Sequence, residues 1–378
     1  MSNITTEEDV KSINIGPGAI ATASEPGGPA FALSTADWYA IQSYVINAQS
    51  KDIMPHTEAD FKAFLGSGAP SDMSSFTPLI TAYKNIFDHV TVWQDDTFPA
   101  SVSLASDVHS YSLQAPTYYV PILPLAQKLV TDPDDQATKD KLKAILDTLI
   151  KSANDYQLKA EAVTAKIKTF AEQTQADKTV LSGTDGEGGL YKKYYDEYGS
   201  TSAEVKELTK ELAAQQIILD AANKEYEHDV IVAATSPTYA WIFPFGTIAA
   251  GVVAGVYGKK ATDALDRAHA ATAKIKTLNA QKEADANLML SLHTTELGLS
   301  GNIQSITAAL PVIQKIQGVW SAISDDLGNI SNLIETNIAE ALPIIMDLGV
   351  DSAIVAWTAV GEEAQAYRVN AYVTKPTT

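Results

Sequence analysis

The chain has 378 residues, 46% of them apolar, which is enough for a sizeable core and leaves room for two or three average domains. Acidic residues outnumber basic ones 46 to 27, giving a net charge of -19 and arguing against nucleic acid or an anionic lipid surface as a partner held by simple attraction. There is no cysteine, hence no disulfide, thiolate chemistry or cysteine-ligated zinc.

Residues 1 to 30 carry Gly16, Pro17, Gly18, Pro26, Gly27, Gly28 and Pro29 and read as a flexible arm. Its start, MSNITTEEDVKS, has no apolar core of the signal-peptide kind, so release without classical secretion is expected. GPGAIA from Gly16 to Ala21 matches a loose dinucleotide-binding pattern, but no helix can follow through Pro26 to Pro29 and no βαβ rhythm lies nearby. Order begins at Ser34, a capping residue with Asp37 three positions on. Trp38, Ile41, Val45 and Ile46 follow at helical spacing. Shorter helices are expected from Thr57 to Leu65 and from Ser71 to Trp93. Prolines at 99, 116, 121 and 124 then suggest short helices joined by bends.

After Asp132-Pro133-Asp134-Asp135 the pattern becomes long and periodic. Leu142, Leu146, Leu149, Ala153, Tyr156, Ala160, Val163, Ile167 and Phe170 step by four and three, a coiled-coil seam that GTDGEGG from Gly183 to Gly189 stops. A second helix from Leu190 places Val205, Leu208, Leu212, Gln215, Leu219, Ala222 and Tyr226 on its seam. A third starts at Lys259 with Ala261, Leu265, Ala268, Thr272 and Ile275 and runs to about Leu297. A fourth uses Leu299, Ile303, Ile306, Leu310, Ile313, Gln317 and Trp320 despite Pro311. A last one spans Asp351 to Tyr372 with Trp357, Ala364 and Ala371. With no strand pairs or βα alternation, the expected fold is all-α: an elongated bundle of long antiparallel helices, residues 31–229 and 259–378, with a hydrophobic head at the tip of the central hairpin.

That head is Val230 to Gly258, 29 consecutive residues without a charged side chain. Read alone it fits either a buried core helix or a membrane segment. Position separates the two readings: its flanking helices, about 40 residues or about 60 Å each, put it at the end of a hairpin, where a core helix does not belong. The insertion residues are Val230, Ile231, Val232, Tyr239, Trp241, Ile242, Phe243, Phe245, Ile248, Gly251, Val252, Val253, Gly255, Val256 and Tyr257. The aromatic first half suits a lipid interface, and Gly251 and Gly255, four apart, let helices approach closely. So large an apolar patch needs a cover in solution, and residues 99–124, with Tyr118, Tyr119, Ile122 and Leu123, are the candidate. Glu225, Glu227, His228 and Asp229 crowd its near end, and neutralising them in acid would ease insertion; a solvated helix end explains them equally well.

No catalytic constellation emerges. Six histidines, at 56, 89, 109, 228, 269 and 293, stand singly, and no HExxH, GxSxG, Walker or EF-hand pattern is present. Asp185 and Glu187 lie in a glycine-rich turn better explained as solvated than as a cation site. The adjacent acids Glu362 and Glu363, and Asp325 and Asp326, point apart along helices. Neither enzyme activity, metal nor cofactor is expected.

FALSTADWYAIQSYV (Phe31 to Val45), YAWIFPFGTIAAGVVAGVYGKK (Tyr239 to Lys260), VIQKIQGVW (Val312 to Trp320) and EEAQAYRVNAYVT (Glu362 to Thr374), in that order on a helical frame, resemble the cytolysin A class of α-helical pore-forming toxins. The resemblance is nearest to the helical Cry-type crystal toxin and the A component of the α-xenorhabdolysins. It implies a soluble rod with a tail bundle and a hydrophobic head, which rearranges on a target cell membrane, inserts and becomes a homo-oligomeric pore, in some relatives with a second toxin component. A rival reading from another class is a helical scaffold or adhesin whose apolar tip docks a protein. Another is a single-pass membrane protein anchored by the same stretch.

Overall fold

A computed structural model describes residues 15–18, 35–184, 188–199, 202–224, 263, 266–267, 270–271 and 273–370. Among them the chain is helical, with no strand and a single isolated bridge between Gly183 and Gly188. The helices are α1 (Thr35–Gln49), α2 (Glu58–Leu65), α3 (Thr77–Val92), α4 (Phe98–Tyr119), α5 (Ile122–Thr131), α6 (Gln136–Ser182), α7 (Leu190–Tyr194), α8 (Ala203–Lys224), α9 (Ala280–Thr336), α10 (Ile338–Met346) and α11 (Val350–Asn370). The all-α expectation holds.

Local chemistry sets the boundaries. Thr57 caps α2, its hydroxyl accepting from the Asp60 amide at 3.1 Å. The helix expected from Ser71 starts later, because Asp72 turns back to accept from the Ser74 amide at 2.9 Å; a 3₁₀ turn at Ser74–Phe76 precedes α3, whose first turn takes Pro78. A π-helical turn, Trp93–Thr97, then leads into α4. The bends expected between Pro99 and Pro124 reduce to one, between α4 and α5. Pro99 follows directly on the π-helical turn as the second residue of α4, Pro121 caps α5, and Pro116 is absorbed inside α4.

The α6 seam is as expected: Leu142, Leu146, Leu149, Ala153, Ala160, Val163, Ile167 and Phe170 are buried and Tyr156 is half-buried. It ends at a glycine turn in which Gly183 (φ 79) and Gly188 (φ 85) adopt the left-handed conformation that side chains resist. The single helix expected after Leu190 is two. A π-helical turn, Tyr195–Gly199, follows α7, and Ser202 starts α8, its carbonyl accepting from the Lys206 amide at 3.1 Å. A break expected near residue 298 lies instead at residues 276–279, where Asn279 accepts from the Lys282 amide at 3.1 Å. Thereafter α9 runs unbroken for 57 residues through Gly298, Gly301 and Pro311. Sequence reading missed its extension beyond Trp320, with buried Ile323, Leu327, Ile330 and Ile334, and all of α10.

The chain divides into two compact units. The first comprises Met1–Ala32, Pro99–Lys166 and Ala309–Val369, the second Leu33–Phe98, Ile167–Ala308 and Asn370–Thr378. Within the first, α6 and α9 run antiparallel: Lys143 pairs with Glu335, Ser331 Oγ donates to Asp147 Oδ1 at 3.1 Å and Ser324 Oγ to Asn154 Oδ1 at 2.7 Å. There α4 lies along α11, where His109 Nδ1 donates to the Gly361 carbonyl at 2.9 Å. Within the second, α6 and α9 again run antiparallel, with Asn302 Nδ2 donating to Thr174 Oγ1 at 3.2 Å and Ser182 Oγ to Glu296 Oε1 at 3.4 Å. In its core Phe76 stacks on Tyr194 at a centroid distance of 5.7 Å and meets Phe61 tilted at 5.2 Å.

Candidate functional site

The expected insertion segment, Val230 to Gly258, lies outside the described residues, as do Glu225, Glu227, His228 and Asp229, and Asp185 and Glu187 of the glycine turn. The structure describes the approaches: α8 up to Lys224, with Val205, Leu208, Leu212 and Gln215 of its seam buried, and the helical residues between 263 and 275, where Ala271 and Ile275 are buried. Among the described residues no helix is long and apolar enough to cross a membrane, and no cluster of His, Asp and Glu could hold a metal ion. Of the candidate cover, Tyr119 and Ile122 are fully buried in the first unit while Tyr118 and Leu123 are half-buried.

Two buried arrangements escaped sequence reading. In the second unit His89 on α3 meets Asp177 on α6, Nδ1 to Oδ2, at 2.8 Å. Burial pushes the Asp177 carboxyl above its ordinary range, and the hydrogen bond and charge of His89 pull it partly back. Tyr44 of α1 is fully buried nearby; desolvation, then the Asp177 charge, raise its phenol well above the usual value. One turn back on α6, Thr174 takes the hydrogen bond from Asn302, and another turn back Trp93 stacks on Phe170 at 4.5 Å. This is a polar layer in an apolar core that ties α1, α3, α6 and α9. A signal was present: Thr174, Asp177 and Leu181 continue the four-three stepping of the seam from Phe170.

The second arrangement is aromatic and lies in the first unit. Trp320 of α9 and Trp357 of α11 stack at 4.9 Å, Tyr111 of α4 meets them edge-on at 4.6 and 4.8 Å, and Tyr156 of α6 packs on Trp320 at 4.9 Å. Burial drives the Tyr111 and Tyr119 phenols well above their ordinary value. Into this cluster comes Ile15 from the N-terminal arm. Its carbonyl accepts from Tyr119 Oη at 2.7 Å and Trp357 Nε1 at 2.9 Å. Both arrangements hold helices together, and neither assembles a nucleophile with a base.

Residues 38–221 match the family model described as Bacillus haemolytic enterotoxin (HBL), a match that stops short of Val230. The chain is 24% identical over 369 residues to the pesticidal crystal protein Cry6Ba of Bacillus thuringiensis, covering 90% of this chain and 89% of that protein. Among solved structures, the HblL1 toxin component of Bacillus cereus superposes with a TM-score of 0.55 at 18% identity, over 91% of this chain and 100% of that one. Soluble SmhA of Serratia marcescens, from a tripartite alpha-pore forming toxin, gives 0.55 at 13%, over 96% and 97%.

Proposed function

On the premise that this chain is kin to the helical α-pore-forming toxins in sequence and in fold, we propose that it is a pore-forming toxin or toxin component whose working part is Val230 to Gly258. The observation that carries the reading is the 29-residue stretch without a charge, in a chain of net charge -19, between two helical approaches. Buried in lipid, such a stretch gains what its exposure to water would cost. The chain reaches a target cell membrane from solution, inserts the stretch and assembles with further copies of itself.

HblL1 is named as a toxin component and SmhA as part of a tripartite toxin, which favours a second reading in which this chain also needs a companion protein. Cry6Ba is named pesticidal, so insect cells join red cells and lipid vesicles as the targets to try. Dye release by the purified protein alone marks an autonomous pore former. Binding without release marks a component awaiting its companion, and no binding returns the scaffold reading. Replacing Gly251 and Gly255 together by Leu is expected to reduce pore assembly more than membrane binding, because close helix approach matters only once copies meet. Equal loss of both would remove that division of labour.

A further inference from the structure

We propose that the outward face of α4, in the first unit, is a docking surface for a second copy of this chain, which meets it antiparallel about a two-fold axis between residues 111 and 112. The contact belongs to the protein in solution and holds whether or not Val230 to Gly258 enters lipid.

The 22 residues of α4 include one acid, Asp107, one histidine, His109, and no lysine or arginine. Asp107 pairs with Lys159 of α6 at 2.7 Å and His109 is bonded to α11, so both are turned to neighbouring helices. The inner side of α4 is buried through Ala105, Val108, Tyr111, Ala115 and Tyr119. On the opposite side Ser103, Ser106, Ser110, Leu113, Thr117 and Val120 step by three and four. Ser106 and Ser110 are half-buried and the other four exposed, Leu113 by 67% and Val120 by 59%. The stripe reaches Val120 in helical register because the Val120 amide donates to the Pro116 carbonyl at 3.1 Å.

Charge selects the occupant. The chain carries a net -19, so a second copy is repelled wherever acids face acids. The exposed sides of α6, α9 and α11 present Glu161, Asp325 and Glu362, which a cationic partner would seek, gaining nothing from α4. Leu158 on α6 and Val355 on α11 are exposed too, but Asp155 and Asp351 stand one turn away and also face water. The outer face of α4 thus suits a partner of like charge, with apolar burial as the gain. Its spacing makes it self-complementary. Steps of three, four, three, four and three read the same in both directions, so an antiparallel copy sets Leu113 against Ser110, Thr117 against Ser106 and Val120 against Ser103. Each larger side chain meets a serine, which leaves it room.

Sedimentation equilibrium of the purified full chain reads this contact. The stripe is about 27 Å long at 1.5 Å per residue, the small end of specific interfaces. The weight-average mass is therefore expected to rise from the chain's 40.4 kDa toward twice that as concentration approaches about 100 μM. A mass of 40.4 kDa throughout overturns the proposal and leaves the face to a partner other than this chain. Leu113→Glu removes an apolar contact and brings two carboxylates together across the axis, and Ser110→Lys does the same with two ammonium groups. Each variant alone is expected to remain monomeric with an unchanged melting temperature. Their equimolar mixture is expected to associate again, because the introduced charges then lie opposite one another. Association of Leu113→Glu at the wild-type level overturns the face, and a mixture that stays monomeric overturns the two-fold register.

Discussion

His89 and Asp177 show how one residue's surroundings set a pH response. The Asp177 carboxyl is held above its ordinary value by burial, against the pull of His89, so folding raises its hold on a proton. The stability it contributes is then complete below the unfolded value of about 4 and is lost as pH rises through the folded one. His89 and Tyr44 are the titratable neighbours on the helices that face it. Asp177→Asn is expected to flatten the fall in the denaturation midpoint of the protein as pH rises above about 4; parallel slopes in variant and wild type would contradict this. The direction is opposite to the acid-favoured insertion expected from Glu225, Glu227, His228 and Asp229, which lie outside the described residues. Single-residue signals were the least legible in the sequence. His89 and Asp177 are 88 positions apart, and no spacing rule joins them. Ile15 is plainer still: an isoleucine directly before Gly-Pro-Gly reads as loop, and only the fold shows Tyr119 and Trp357 converging on its carbonyl.

At the scale of elements, periodicity carried most of the information. The α6 seam was legible because apolar residues recur at steps of four and three for the whole length that is packed, and the glycine turn after it was legible because only glycine accepts its backbone. Proline and glycine misled elsewhere. Pro121 and Pro124 sit before or in the first turn of α5, where helices tolerate them, Pro99 follows a π-helical turn, and Gly298 and Gly301 pass through α9 because tertiary packing outweighs a propensity of about 1 kcal/mol. The true break at Asn279 had a capping signal in the amide it accepts, but no apolar pause to draw attention to it. Gly361 has a packing reason to be glycine. A Cβ there would stand 2.5 Å from Ser112 Cβ, so α4 and α11 would have to part. Gly361→Ala is expected to cost about 2 kcal/mol in unfolding free energy, in the range of an overpacked core. An unchanged melting temperature would show that the two helices can separate freely.

At the scale of the molecule, two helical units share α6 and α9, each of which begins in one unit and ends in the other. The all-α class was legible from the sequence, and the resemblance it suggested is met by similarity to the haemolytic enterotoxin model over residues 38–221, to Cry6Ba along most of the chain, and in fold to HblL1. The insertion segment itself remains a proposal from composition and position. Its test is dye release from phosphatidylcholine–cholesterol vesicles by the purified wild type and by a variant carrying Val252→Asp and Val256→Asp, each alone and with a companion component. A buried charge in lipid costs several kcal/mol, so the wild type is predicted to bind and release dye, and the variant, equally helical in solution, to release none. Release by the variant at the wild-type rate would contradict the assignment of Val230 to Gly258 as the part that enters the membrane.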